Sequence, residues 1–153
     1  MSSFVLVDSG PLGIASNPKA SPEALQCRNW LTSLLAGSTL VVIPEICDYE
    51  VRRELLRSKK TEGIRRLDAL KSVLLYLPLT TSAMLRAARF WADARNRGRP
   101  TAEDADLDCD MILSAQASEL ALGDDDVVIA TTNVRHLDLF AQARHWKDIG
   151  SRT

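Results

Sequence analysis

Four aspartates at alternate positions, Asp104, Asp106, Asp108 and Asp110, fill the stretch DADLDCD, and an apolar run, MILSAQASELAL, follows directly. Carboxylates this close repel one another, so the cluster is a solvated loop, a helix cap, or part of a site that holds a cation. At about 3.6 residues per turn, Asp106 and Asp110 share one face of a helix and Asp108 points elsewhere. Asp104 or Asp106 suits an N-cap, where an acidic side chain accepts from free backbone N–H groups and favours the helix dipole. Asp110 lies beside Ile112, Ala115 and Ala117, where an unpaired carboxylate is costly. A hard divalent cation offsets that cost, because Mg2+ takes oxygen ligands, commonly one or two carboxylates with waters and a substrate phosphate.

Other acids must join this cluster from elsewhere in the chain, and the elements predict how. FVLV (4–7) reads as a short strand buried on both faces that ends at Asp8, with SGPLG as a turn after it. SPEALQCRNWLTSLLAG (21–37) has a Ser cap, a first-turn Pro and a terminal Gly, which predicts a helix. TLVVI (39–43) is a second strand, and Pro44 opens a helix carrying Glu45, Asp48, Glu50 and Glu54. KKTEGIRRLDALKSVL reads as helix and LLYLPL (74–79) as a short strand. In the helix of 80–98, Met84, Ala87, Ala88 and Trp91 form the apolar stripe. RPTAEDADLDCD is expected to be a loop running into a helix of 108–121; DVVIAT (126–131) is a strand and WKDIG a short edge strand. Strands alternating with helices predict one domain over residues 1–153, an α/β sandwich on a mainly parallel sheet of four to five strands. In such sheets ligands sit at the carboxyl ends of the strands, where Asp8 and the TTN of 131–133 would both stand.

These segments together resemble a known family, the PIN domains. VLVDSGPL is similar to the family's first strand and leading aspartate. VVIPEICDYEVRREL resembles the second strand and acidic helix of its VapC-like toxins, whose glutamate stands seven residues beyond the strand, at Glu50 here. DCDMILSAQA resembles the motif carrying the third acid, at Asp110, and VVIATTNVRHLDLF the fourth strand with its T-x-N turn. The resemblance runs over nearly the whole chain. It implies a three-layer α/β/α fold and cleavage of RNA with Mg2+ or Mn2+ held by Asp8, Glu50 and Asp110. It also implies a small antitoxin partner and a homodimer. Where the toxins often carry a fourth acid past Thr-Thr-Asn, this chain has His136. Asn133 is the remaining polar candidate, Asp138 lies two residues beyond His136, and Asp106 or Asp108 would compensate as metal ligands. Ser9 and Thr132 are supporting candidates.

Composition narrows the alternatives. With 153 residues, 46% apolar and 25% charged at a net charge of −1, the chain suits one globular core and is not basic overall. Basic residues instead gather locally, Arg52 to Arg66 and Arg86 to Arg99, while 103–126 holds nine acids and no Lys or Arg. That segregation fits an acidic metal pocket with a basic surround for RNA phosphates, or for an acidic antitoxin tail; solvated helix faces would look alike. Cys27, Cys47 and Cys109 are odd in number with no C-x-x-C pair, so neither a zinc knuckle nor a disulfide framework is indicated. The start MSSFVLVDSG lacks a basic leader, and no segment reaches the roughly 20 apolar residues of a membrane span, so a cytoplasmic protein is expected. A binding module that holds RNA or a protein without cutting is the alternative. A receiver-type phosphotransfer domain fits less well, since no Lys occurs between Lys71 and Lys147.

Overall fold

The computed structural model describes residues 2–97, 104–134 and 137–150, without the side chains of 104–106. Among them, five strands form one sheet in the order β3-β2-β1-β4-β5, with every pairing parallel. The strands are β1 (Ser3–Val7), β2 (Leu40–Pro44), β3 (Leu75–Leu77), β4 (Asp126–Thr131) and β5 (Ala143–His145). Between them run α1 (Ser9–Ser16), α2 (Pro22–Ala36), α3 (Glu45–Arg57), α4 (Thr61–Val73), α5 (Thr81–Asn96) and α6 (Asp104–Leu120). The chain winds from β1 outward to β3, then returns past β1 to β4, so strand order reverses between β1 and β4. Helices α1 to α4 pack on one another, and α5 packs on α6. With right-handed crossovers, the reversal sends these two groups to opposite faces of the sheet. Leu6, Val7, Ile43, Ile129 and Ala130 are fully buried at its centre, as short continuous apolar strands require.

Local chemistry explains most boundaries. Ser21 Oγ accepts from Ala24 N at 3.1 Å with Pro22 opening α2, and Thr80 Oγ1 accepts from Ala83 N at 3.0 Å at the start of α5. The α3–α4 connection is a Schellman turn: Lys60 N donates to Leu55 O at 2.9 Å and Lys59 N to Leu56 O at 3.2 Å. Lys59 therefore stands at φ 57, a left-handed conformation that glycine adopts without a Cβ penalty. Lys59→Gly is expected to raise stability by about 1 kcal/mol, read as a higher urea midpoint at unchanged m-value.

Four expectations are corrected. SGPLG is not a turn but the start of α1. Its first intrahelical bond is Leu12 N to Asp8 O at 3.0 Å, so Pro11 sits in the first turn, where a missing N–H costs nothing. DADLDCD is helical from Asp104 rather than a loop leading to residue 108. The edge strand lies at 143–145 instead of in WKDIG, because Trp146 turns inward, 1% exposed, onto Trp30 at 5.5 Å between ring centroids. The stripe of α5 is also phased differently. Ala83, Ala87 and Ala94 are buried, and these small residues let α6 approach, leaving Met84, Leu85 and Trp91 exposed. No helix among the described residues is long and apolar enough to cross a membrane.

Candidate metal centre

Asp8 is held by the two strands that flank the reversal. Its N–H donates to Ala130 O at 2.9 Å, which extends the β1–β4 ladder by one residue past the Val7–Ala130 pair. Its carboxylate does two things at once. Oδ1 accepts from Ser9 N at 2.7 Å and so caps α1, while Oδ2 accepts from Thr131 Oγ1 at 2.7 Å. Asp8 is only 8% exposed, and these donors are neutral, so its charge is fixed in place without being cancelled. Thr131 is fixed in turn: its Oγ1 accepts from Asn133 N at 3.0 Å, a local turn that ends β4. The next residue, Thr132, lies against Gly10; a Cβ there would come within 2.5 Å of Thr132 Oγ1 and 3.2 Å of its Cβ. Gly10→Ala is therefore expected to cost about 1–3 kcal/mol, and Thr132→Ala to return part of that loss in thermal melts.

The four acids of α3 separate by helical phase. Glu45 accepts from Leu79 N at 2.7 Å, beside the edge strand β3. Asp48 is 7% exposed and bound by Arg52 at 3.0 Å, with Lys71 at 3.9 Å; Arg52 also reaches Asp68 at 2.7 Å. Glu54 pairs with Arg57 on the exposed side. Glu50 alone of the four groups with Asp8. Ligand atoms of Asp8, Glu50 and Cys47, three residues before Glu50, lie within 4.8 Å of one another.

The thiols report the electrostatics of this crevice. Cys47 is fully buried, with Sγ 3.7 Å from Asp8 Oδ1. Burial first, then the negative charges of Asp8 and Glu50, push its pKa well above the ordinary thiol value. Cys109, on α6, hydrogen-bonds Glu50 and is pushed up to about 12 by burial and by the charges of Glu50 and Asp110, against the lowering effect of Arg53. Glu50 thus stands between a buried carboxylate and the first turns of α6, in surroundings that are negative on balance. A cleft of about 360 Å³ runs alongside, lined by Ser9, Gly13, Glu50 and Arg53 among others. The Arg53 guanidinium lies 5.1 Å over the Tyr49 ring.

The remaining sequence candidates are distributed as follows. Asp110 is half-buried on α6, next to Cys109. Asp108 is exposed and lines a different groove, between α5 and α6, with Met84, Trp91 and Ile112. Asp104 and Asp106 belong to the first turn of α6, and their side chains lie outside the described residues, as does His136. Asn133 and Asp138 are exposed, and Asn133 meets the site through its backbone N–H to Thr131. Sequence reasoning missed Thr131, whose contact with Asp8 depends on strand register, and Cys47. Its spacing of three from Glu50 is the one signal the sequence offered. Much of the basic segment is tied to its own helices, through Arg52–Asp48, Arg57–Glu54 and Arg65–Glu62.

Two carboxylates and a thiol from two elements, Asp8 at the end of β1 and Cys47 with Glu50 on α3, with neutral donors holding Asp8, make a donor set that fits a divalent cation. No family model matches the chain, and no curated protein does. Solved structures do match. VapBC2 from Rickettsia felis, bound to a DNA fragment from their promoter, aligns with a TM-score of 0.73 at 16% identity, over 94% of this chain and 98% of that one. VapBC-1 from nontypeable Haemophilus influenzae aligns at 0.67 and 18% identity, over 95% and 99%. VapC20 from Mycobacterium tuberculosis, a sarcin–ricin loop cleaving toxin, aligns at 0.60 and 12% identity, over 88% and 94%. At such identities the likeness concerns the fold: the chain has the PIN-like fold of these VapBC structures, with its acidic crevice where strand order reverses.

Proposed function

We propose that the chain is a divalent-metal-dependent endoribonuclease, the toxin of a toxin–antitoxin pair. The observation that carries this reading is the meeting of Asp8 and Glu50 at the switch point of a parallel sheet, with neutral donors fixing Asp8. Asp8 and Glu50, with Asp110 from α6, would hold Mg2+ or Mn2+. When bound, such an ion supplies Lewis acidity: it lowers the pKa of a coordinated water and offsets charge on a phosphodiester in its transition state. The chain's own residues do the rest. Thr131 and Ser9 lock the Asp8 carboxylate in one orientation, so no reorganisation is needed as charge develops. Arg53 lies along the Glu50 cleft, where its guanidinium can take a backbone phosphate. Asn133 would add a neutral amide beside the metal ligands, and Thr132 packs the turn against α1. The solved relatives' names support the class: one is a sarcin–ricin loop cleaving toxin, and another is bound to a DNA fragment from its promoter. The exposed Met84, Leu85 and Trp91 of α5 offer an apolar face for a second copy or an antitoxin.

Cleavage of a structured RNA in Mn2+ buffer should stop on chelation and return on adding back the ion. Cleavage undiminished by chelation would sink the metal-dependent reading. A second reading, a module that binds RNA or protein without cutting, is favoured by the neutral thiol placed among the carboxylates, since a thiol is a poor ligand for Mg2+. Absence of Mn2+ binding by titration calorimetry at millimolar ion would select it.

A further inference from the structure

The crevice contains a donor that a site for hard ions does not need. We propose that Cys47 is a metal ligand and that Asp8, Cys47 and Glu50 together take a thiophilic divalent ion of the zinc class, which excludes Mg2+ and Mn2+ while bound. This rests on the reading that the crevice binds a divalent cation, and adds which cation it prefers.

The geometry supports a mixed sulfur–oxygen set. A tetrahedral ion with a bond to sulfur of about 2.3 Å and to oxygen of about 2.0–2.2 Å sets a sulfur-to-oxygen edge of roughly 3.5 Å. Cys47 Sγ and Asp8 Oδ1 are 3.7 Å apart, close to that edge with no ion present. The third donor, Glu50, comes from the same face of α3, and all three ligand atoms lie within 4.8 Å. The small remaining contraction falls on Glu50, whose side chain is long and only half-buried. Asp8 cannot drift, because Ser9 N and Thr131 Oγ1 hold both its oxygens.

A packing cysteine faces apolar neighbours, whereas this one faces a carboxylate. The two carboxylates beside the thiol favour a cation once one enters, and a coordinated thiol is deprotonated outright. Thiolate ligation and the Irving–Williams order then favour Zn2+ over Mn2+ and Mg2+. Cys109 is the competing thiol, since it hydrogen-bonds Glu50 from α6. Cys27 is elsewhere in the core, its Sγ on Pro11 O at 3.4 Å, and serves as a control.

The test uses the full chain, reduced with a phosphine, titrated with Co2+ alone and followed by absorption. One equivalent is expected to give a near-ultraviolet thiolate-to-cobalt charge-transfer band, bleached by stoichiometric Zn2+. Cys47→Ser and Cys47→Ala should both lose the band and bind Co2+ at least about tenfold more weakly, yet still bind Mn2+ by calorimetry. Cys27→Ser should behave as the parent, and Zn2+ should release prebound Mn2+ from the parent. A parent that binds Mn2+ but shows no thiolate band overturns the proposal and leaves the nuclease reading standing. A band that survives Cys47→Ser and vanishes in Cys109→Ser overturns it in favour of the other thiol. A parent that binds neither ion overturns both this proposal and the reading beneath it.

Discussion

Asp8→Asn is expected to lower metal-dependent RNA cleavage by at least about 100-fold while leaving the protein folded. The size follows from position. Changing a residue that merely orients a ligand typically costs about 10–100-fold in metal affinity or activity, and Asp8 is proposed as a ligand itself. Retention of the fold follows from the hydrogen bonds. Asparagine keeps an oxygen to accept from Ser9 N, so α1 stays capped, and the Thr131 hydroxyl can rotate to accept from the new amide. Removing the charge also relieves repulsion from Glu50, within 4.8 Å. In metal-free buffer the variant should therefore melt at or above the parent's temperature, as when an active-site acid is neutralised at some cost in function. With Mn2+ the order reverses, because binding stabilises the parent alone. Equal cleavage by variant and parent would remove Asp8 from the site. Lost cleavage with a Mn2+-induced shift as large as the parent's would keep the site's chemistry but deny Asp8 the role of ligand.

What the sequence carried and what it hid divide along physical lines. DVVIAT is β4 residue for residue, and Ser21 and Thr80 cap α2 and α5, because apolar runs and caps are local signals. The helix α1 was hidden because Gly-Pro-Leu-Gly reads as a turn, and only the Asp8 cap and a first-turn Pro make it helical. The α5 stripe was misphased because counting rewards large residues, whereas the close packing against α6 selects alanines. At the site, helical spacing alone leaves four acids on α3 open, and only the family resemblance points to Glu50. Pairing decides: Glu45 and Asp48 are engaged toward β3 and Glu54 outward, and Glu50 remains beside Asp8. Thr131 was legible as a residue at the same sheet edge as Asp8, but not as its hydrogen-bond partner. It meets Asp8 because Val7 pairs with Ala130, and a shift of one residue would send its hydroxyl to the other face.

Thr131→Val tests that register-dependent contact. Valine replaces threonine nearly atom for atom, so packing is preserved and only the hydroxyl is lost. Thr131 is 1% exposed, and its hydroxyl donates to Asp8 Oδ2 at 2.7 Å, accepts from Asn133 N at 3.0 Å and lies 3.2 Å from Asn133 O. Without it a buried carboxylate oxygen has a methyl group facing it, a cost of about 1–3 kcal/mol. For a chain of this size that is a fall in melting temperature of roughly 3–10 °C in metal-free buffer. A purely structural role ends there. If Thr131 also aims Asp8 at an ion, Mn2+ should bind about 10–100-fold more weakly to the variant. Saturating Mn2+ then widens the stability gap between parent and variant by a further 1.4–2.7 kcal/mol or so, since the ion stabilises each in proportion to the logarithm of its affinity. Thr131→Ser, which keeps the hydroxyl and loses the methyl, should recover Mn2+ affinity while still losing some packing. A gap that is the same with and without Mn2+ would leave Thr131 as a brace for the turn and nothing more.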